Sequence, residues 1–263
     1  MEKTKKPTMR KWTVGLILAC SLGLNIWLAK DNALMRIPDK KPEGRIDIIW
    51  HGPEDHKNVA LTFDDGPVPE YTLKVLDTLK RFKVHATFFV VGQYAEAHPE
   101  IIKRMIAEGH EVENHTYVHP YLTWISTKET REEVQRCHEA ITRITGIPPR
   151  FFRPPHQIYD ARVITALRHY PEYDICLWSV ALEHREAKTP KAMALRVIHE
   201  AHPGTIILAH DGRIQSDRRM TVAAIPLVIR GYKRKGLQFV TLKEMFSLKS
   251  TGTNQDEEPR KKG

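Results

Sequence analysis

Apolar residues along this chain alternate between two patterns. Short continuous runs at 59–63, 86–91 and 205–209 read as strands buried on both faces. Between them, apolar positions recur every three or four residues, as Leu73, Val75, Leu76 and Leu79 do within 71–82. This spacing predicts helices over 71–82, 99–108, 127–145, 160–168, 191–201 and 220–235. Gly109 and Gly146 stand just past two of their ends, Thr127 and Asp160 are candidate N-caps, and Pro226 is expected to break or bend the last of them. Shorter strands are predicted at 110–114, 150–153, 173–180 and 237–242, with a final short helix at 243–248. About seven strand-helix units in succession predict an α/β fold, a distorted or incomplete (β/α) barrel of about seven parallel strands. An open doubly wound sheet is the alternative.

The ends follow different rules. Lys3, Lys5, Lys6, Arg10 and Lys11 precede 12–29, which carries no charge over 18 residues. That pattern predicts a cytoplasmic basic tail (1–11) and an N-terminal membrane-spanning helix (12–29) acting as a signal anchor, with the bulk of the protein outside. A cleaved signal peptide and a secreted product are the competing reading, weakened by the lack of a small-residue cleavage site after Trp27-Leu28-Ala29. Residues 30–57 read as a polar, proline-containing linker with a short strand near 46–50, and 249–263 as a disordered tail. The catalytic unit is expected over 58–248.

The formal charge is +9, but the first 11 residues contribute five of the basic groups against Glu2. The remainder is only mildly basic, which argues against a nucleic-acid partner and suits a polyanionic cell wall. Cys20, Cys137 and Cys176 have no metal-site spacing; the last two are expected as buried free thiols. A monomer is expected.

Barrel chemistry gathers where strands run out into loops, and the polar residues at those points form a set. Asp64 and Asp65 follow the first apolar run, His115 and His119 follow 110–114, Arg153 follows the next strand, Trp178 lies in another, and His210-Asp211 follows 205–209. Adjacent acids repel unless something separates their roles; an Asp-Asp-Gly-Pro turn is the simple alternative. His115 and His119 are four apart, so one helical turn would place both imidazoles on one face. Two histidines and a carboxylate suit zinc or another divalent transition metal with open positions. One of the two acids can then serve as ligand and the other as base.

Thr62-Phe63-Asp64-Asp65-Gly66-Pro67, His115-Thr116-Tyr117-Val118-His119-Pro120, Arg153-Pro154-Pro155 and Leu208-Ala209-His210-Asp211 together resemble the ordered motifs of the polysaccharide deacetylases, carbohydrate esterase family 4. The resemblance covers roughly residues 57–247. It implies Asp64 as general base, Arg153 as the residue orienting it, and His210 as general acid. It also implies Asp65, His115 and His119 as metal ligands, and Leu208 as a wall of the acetyl pocket. Zn is the first choice of ion, with Co, Ni or Mn as alternatives. A backbone N–H near Tyr71 or His156 would face the oxyanion, and Trp178 would line the groove or pack in the core. The implied reaction removes N-acetyl groups from an extracellular or cell-wall polysaccharide, with peptidoglycan N-acetylglucosamine the leading substrate. An O-acetyl esterase and a glycan-binding pseudoenzyme are the alternatives.

Two departures from the family pattern stand out. An Asp usually follows the Trp and orients the acidic histidine, but Trp178 is followed by Ser179-Val180-Ala181-Leu182-Glu183. Asp174 lies at the wrong end of its strand, leaving Glu183 as the candidate replacement. His156-Gln157 stands where the family often has Tyr-Gly, which would strain Gln157 if that position needs positive φ.

Overall fold

The structure is a computed structural model and describes residues 45–170, 172–212 and 216–247. The basic tail, the segment 12–29 and the tail 249–263 lie outside the described residues. Among the described residues no helix is long and apolar enough to cross a membrane.

The first half runs β1 (Ile48–Ile49), β2 (Asn58–Asp64), α1 (Pro69–Phe82), β3 (Thr87–Val90), α2 (Gly92–Ala97), α3 (Pro99–Ala107), β4 (Glu111–Asn114) and α4 (Thr127–Thr145). The second half runs β5 (Phe151–Phe152), α5 (Ala161–Leu167), β6 (Asp174–Cys176), β7 (Val180–Ala181), α6 (Pro190–His199), β8 (Ile206–His210), α7 (Arg219–Arg234), β9 (Gln238–Phe239) and α8 (Leu242–Ser247). All seven residues of β2 are buried, as a central parallel strand covered on both faces requires. The cap of α4 is Ser126 rather than Thr127: its hydroxyl accepts from Glu129 N and the Glu129 carboxylate returns to Ser126 N, a reciprocal capping box. Asp160 caps α5 as expected. Helix α7 runs through Pro226 without ending, because one missing N–H is outweighed by the burial of Ala224, Ile225, Val228, Ile229 and Tyr232 along the same face.

Every strand pairing is parallel, in the order β1-β6-β5-β4-β3-β2-β8-β7, with β9 set against the start of β2. The strand expected over 173–180 is two strands with different neighbours: β6 pairs with β5 and β1, and β7 pairs with β8. This break forces curvature. Flat, six strand spacings would separate β6 from β7 by about 29 Å, whereas the chain from Cys176 to Val180 reaches at most about 14 Å. The sheet therefore curls into a half-barrel of eight strands, open between its edge strands β1 and β7. Ile48–Ile49, assigned to the linker from sequence, is part of this sheet beside β6, and Gly52 N donates to Gly204 O at 2.7 Å. The folded unit thus begins before residue 58.

Helix α8 closes the barrel at the N-terminal ends of its strands. Leu242 N donates to Thr87 Oγ1 at 3.0 Å, Lys243 N donates to Glu111 Oε2 at 3.1 Å, and Phe246 meets Phe151 with ring centroids 5.9 Å apart. Cys137 and Cys176 are buried free thiols, as expected.

Candidate active site

Parallel register delivers the polar strand ends to one rim. Asp64 ends β2 directly beside His210, which ends β8. Asn114 ends β4 beside Phe152 of β5, so the residues that follow them, His115 and Arg153, emerge side by side.

Arg153 is fully buried and spends every donor it has. Its Nε donates to Cys176 O at 2.8 Å, Nη1 to Thr62 Oγ1 at 2.8 Å and Asp64 Oδ1 at 2.7 Å, and Nη2 to Leu177 O at 2.8 Å and more weakly to Cys176 Sγ. The guanidinium also lies 3.9 Å from the centroid of the Phe89 ring. A buried cation is tolerable only when paired and fully hydrogen-bonded, and this one is. Thr62 opens the quoted Asp-Asp motif but was given no role from sequence; its place two residues before Asp64, hence on the same strand face, was the available signal.

Asp65 keeps different company. Its Oδ1 lies 3.0 Å from His119 Nε2 and 3.4 Å from His115 Nε2, and its Oδ2 lies 3.6 Å from the Arg218 guanidinium. Burial opposes its ionisation, but the hydrogen bonds and charges of the two histidines outweigh it and hold the carboxyl well below the ordinary range. The ligand atoms of Asp65, His115 and His119 all fall within 4.8 Å of one another. His115 Nδ1 faces Arg153 O at 2.7 Å, which commits that nitrogen as donor and leaves Nε2 for the cluster. Two imidazoles and a carboxylate, buried and convergent, fit a divalent transition metal with further positions for water or substrate.

The two histidines do not reach Asp65 through a helical turn. Thr116 and His119 have φ of 67° and 63°, in the left-handed region, and the loop is pinned from outside. Thr116 N donates to Asn114 Oδ1, while Tyr117 N and Val118 N both donate to Glu133 Oε2, at 2.9 and 2.8 Å. Of the six non-glycine residues with positive φ among those described, Asp65, Thr116, His119, His156 and Gln157 all belong to this rim, so backbone strain is concentrated where the side chains converge. Gln157, at φ 60°, does occupy the strained position its neighbourhood suggested.

His210 stands against Glu183. Glu183 Oε1 accepts from His210 N at 3.0 Å and Thr221 Oγ1 at 2.7 Å, and Oε2 lies 3.2 Å from His210 Nδ1, within ion-pair reach but off a direct hydrogen-bond line. Burial works against the charge on both groups. The contact nonetheless lowers the Glu183 carboxyl and raises the His210 imidazole, with Asp64 and Asp65 adding to the latter. Asp211, unassigned from sequence, is buried behind the rim. Its Oδ2 accepts from Thr72 Oγ1 at 2.6 Å, and burial pushes its carboxyl up to about 7. A Cβ on Gly66 would lie 2.5 Å from Asp211 Oδ1, so the turn after Asp65 admits only glycine there.

These groups surround a cavity of about 80 Å3. Besides the two acids and three histidines, its walls include His156, Gln157, Trp178 and Leu208. Tyr71 is not among the residues lining the cavity, and its N–H donates to Val68 O at 3.0 Å in the first turn of α1; of the two residues named for the oxyanion, His156 is the one on the cavity wall.

The polysaccharide deacetylase family profile matches residues 51–172. A peptidoglycan-N-acetylglucosamine deacetylase of Bacillus cereus is 38% identical over 201 residues, spanning 75% of this chain and 71% of that protein. The chain belongs to the polysaccharide deacetylase family, carbohydrate esterase family 4. It is thus an enzyme of a class that hydrolyses linear amides. The deacetylase is also 36% identical over 195 residues to the peptidoglycan-N-acetylmuramic acid deacetylase PdaC of Bacillus subtilis, of which it spans 40%. The crystal structure of a peptidoglycan N-acetylglucosamine deacetylase in complex with 4-naphthalen-1-yl-N-oxidanyl-benzamide matches it with a TM-score of 0.72 at 36% identity, covering 78% of this chain and 95% of that one.

Proposed function

We propose that this deacetylase removes the N-acetyl group from N-acetylglucosamine in peptidoglycan, releasing acetate. The observation that carries the reading is the division of partners between two adjacent acids: Asp64 on Arg153, Asp65 on His115 and His119, with His210 across a small cavity. The names of similar proteins support peptidoglycan as the substrate.

Asp65, His115 and His119 would hold the divalent ion, zinc by donor chemistry. When bound, the ion supplies Lewis acidity, lowering the pKa of water toward 7 and polarising the acetyl carbonyl. Asp64, fixed by Arg153 and left out of the ligand set, takes the proton from the attacking water. A backbone N–H near His156, a residue of the cavity wall, would meet the developing oxyanion. Leu208 forms the wall for the acetyl methyl. His210 gives its proton to the departing amine, and Glu183, with its raised imidazole partner, keeps that proton available near neutral pH. Glu183 thereby fills the role that an Asp after Trp178 would have, which removes the main reason to read the chain as a glycan-binding pseudoenzyme. Residues 12–29 would anchor the enzyme in the cell membrane with this domain outside.

Acetate release from purified peptidoglycan and from N-acetylglucosamine oligomers, before and after chelation and with Zn, Co, Ni or Mn added back, tests the proposal. Release that chelation abolishes and metal restores is the expected result. A metal-loaded enzyme that releases acetate from neither substrate would sink it.

A further inference from the structure

A line of aromatic rings leads out of the cavity. His156 meets the His119 imidazole edge-on at 4.6 Å, Tyr121 lies flat on His156 at 3.8 Å and 6°, and Trp124 lies on Tyr121 at 4.2 Å and 22°. Trp124 ends the line with 76% of its surface exposed. Four of the eight large hydrophobic side chains exposed among the described residues, Val118, Tyr121, Trp124 and Ile158, sit in the two loops that follow β4 and β5 and carry this line.

The exposed indole is displayed by a built scaffold. Between Tyr121 and Trp124, Leu122 is fully buried in the cluster that holds Phe152 and Leu167, and Trp124 N donates to Tyr121 O at 2.9 Å. Arg162 Nη2, itself bonded to the α5 cap Asp160, donates to Thr123 O at 2.8 Å, and three residues on Ser126 locks the loop into α4. Holding a large apolar ring rigidly in water is unfavourable for the free protein, which is the mark of a surface meant to be covered.

We propose that Trp124, backed by Tyr121 and His156, is a stacking platform for a sugar of the same glycan chain beyond the one being deacetylated. A β-linked pyranose carries its hydroxyls around the ring edge and presents C–H groups on its faces. Such a face is apolar and slightly electropositive, and it complements the negative face of an indole. The shelf is continuous with the cavity through His156 and His119, so a glycan with one acetamido group in the cavity has a path along it. The inference rests on a glycan being the substrate.

Steady-state kinetics on an N-acetylglucosamine dimer and pentamer, with Trp124→Ala and Trp124→Phe, test it. Trp124→Ala raises KM for the pentamer about tenfold, equivalent to about 1.4 kcal/mol. It leaves kcat, the dimer reaction, the metal content and the thermal midpoint unchanged, and Trp124→Phe retains most of the affinity. Equal losses on both lengths, or none on either, overturn the platform. Should the wild type release no acetate from any oligomer, the proposed reaction fails separately, and a calorimetric titration with the pentamer still decides the platform. A binding signal present in the wild type and absent in Trp124→Ala supports it, and identical titrations refute it.

Discussion

Asp65 at the rim and Glu113 deeper in the barrel are both buried acids, 4% and 3% exposed, and each has another acid beside it. By strand register Glu113 shares the inner face of the sheet with Phe89 and Asp64. Yet Asp65 is driven well below its ordinary pKa and Glu113 well above. Burial pushes both upward; what differs is the company. Asp65 has two imidazoles and a guanidinium, and its neighbour Asp64 has Arg153. Glu113 has the backbone N–H groups of Arg150 and Phe151, at 2.8 and 2.6 Å, and the like charge of Glu111. The cations around Asp65 favour its ionised form, while burial and mutual repulsion favour the protonated form in the lower pair. Burial alone therefore identifies neither a catalytic acid nor a structural one.

The strongest way to break this comparison is to take the rim acids singly. Asp65→Ala should abolish both activity and metal retention, read by acetate release and metal analysis. Asp64→Asn should lower kcat by about 10²–10⁴ while metal is largely kept. Equal metal loss in both would mean the two acids do not have separate roles. Next comes Glu183→Gln, with an expected loss of about tenfold in kcat. Removing the negative charge lowers the His210 pKa, so the acid form is lost earlier and the alkaline limb of the pH–rate profile moves to lower pH. An unmoved limb would detach Glu183 from the acid.

The smallest effect belongs to the lower pair. Because the folded state holds a proton that the unfolded chain releases above the ordinary glutamate range, wild-type stability falls as pH rises from there toward the raised folded-state value. The slope is at most about 1.4 kcal/mol per pH unit for one group. Glu113→Gln, which keeps an acceptor for the two backbone N–H groups, should flatten that fall and exceed the wild type in stability at pH 8. Parallel denaturation curves across pH would remove the contrast between rim and floor.

Much of the rim could be read from the chain because strand parity and strand ends are local properties. Asp64, Arg153 and His210 stand at the ends of apolar runs and His115 just past the more polar β4, all strands of one parallel sheet, and register does the rest. Glu183 was reachable as a candidate because it lay near the missing Asp, but only the fold could bring its carboxylate to His210. His119 reaches Asp65 by a route other than the one expected: a loop with left-handed residues tied to Glu133, not a helical turn, carries it there. Tyr71 lies outside the cavity lining, with its own N–H taken up in the first turn of α1. Thr62 and Asp211 lay inside quoted motifs without a role assigned to them, and Thr221 and the Tyr121–Trp124 stack had no motif to announce them.

The sequence by itself determined the α/β alternation, the order of the strands that carry chemistry and the types of group that would meet, since these follow from periodicity and short-range spacing. Tertiary structure decided where the barrel opens, which acid faces which cation, and which exposed rings line up outside the cavity. Those outcomes depend on residues far apart in the chain, brought together by sheet curvature and packing that no local pattern encodes.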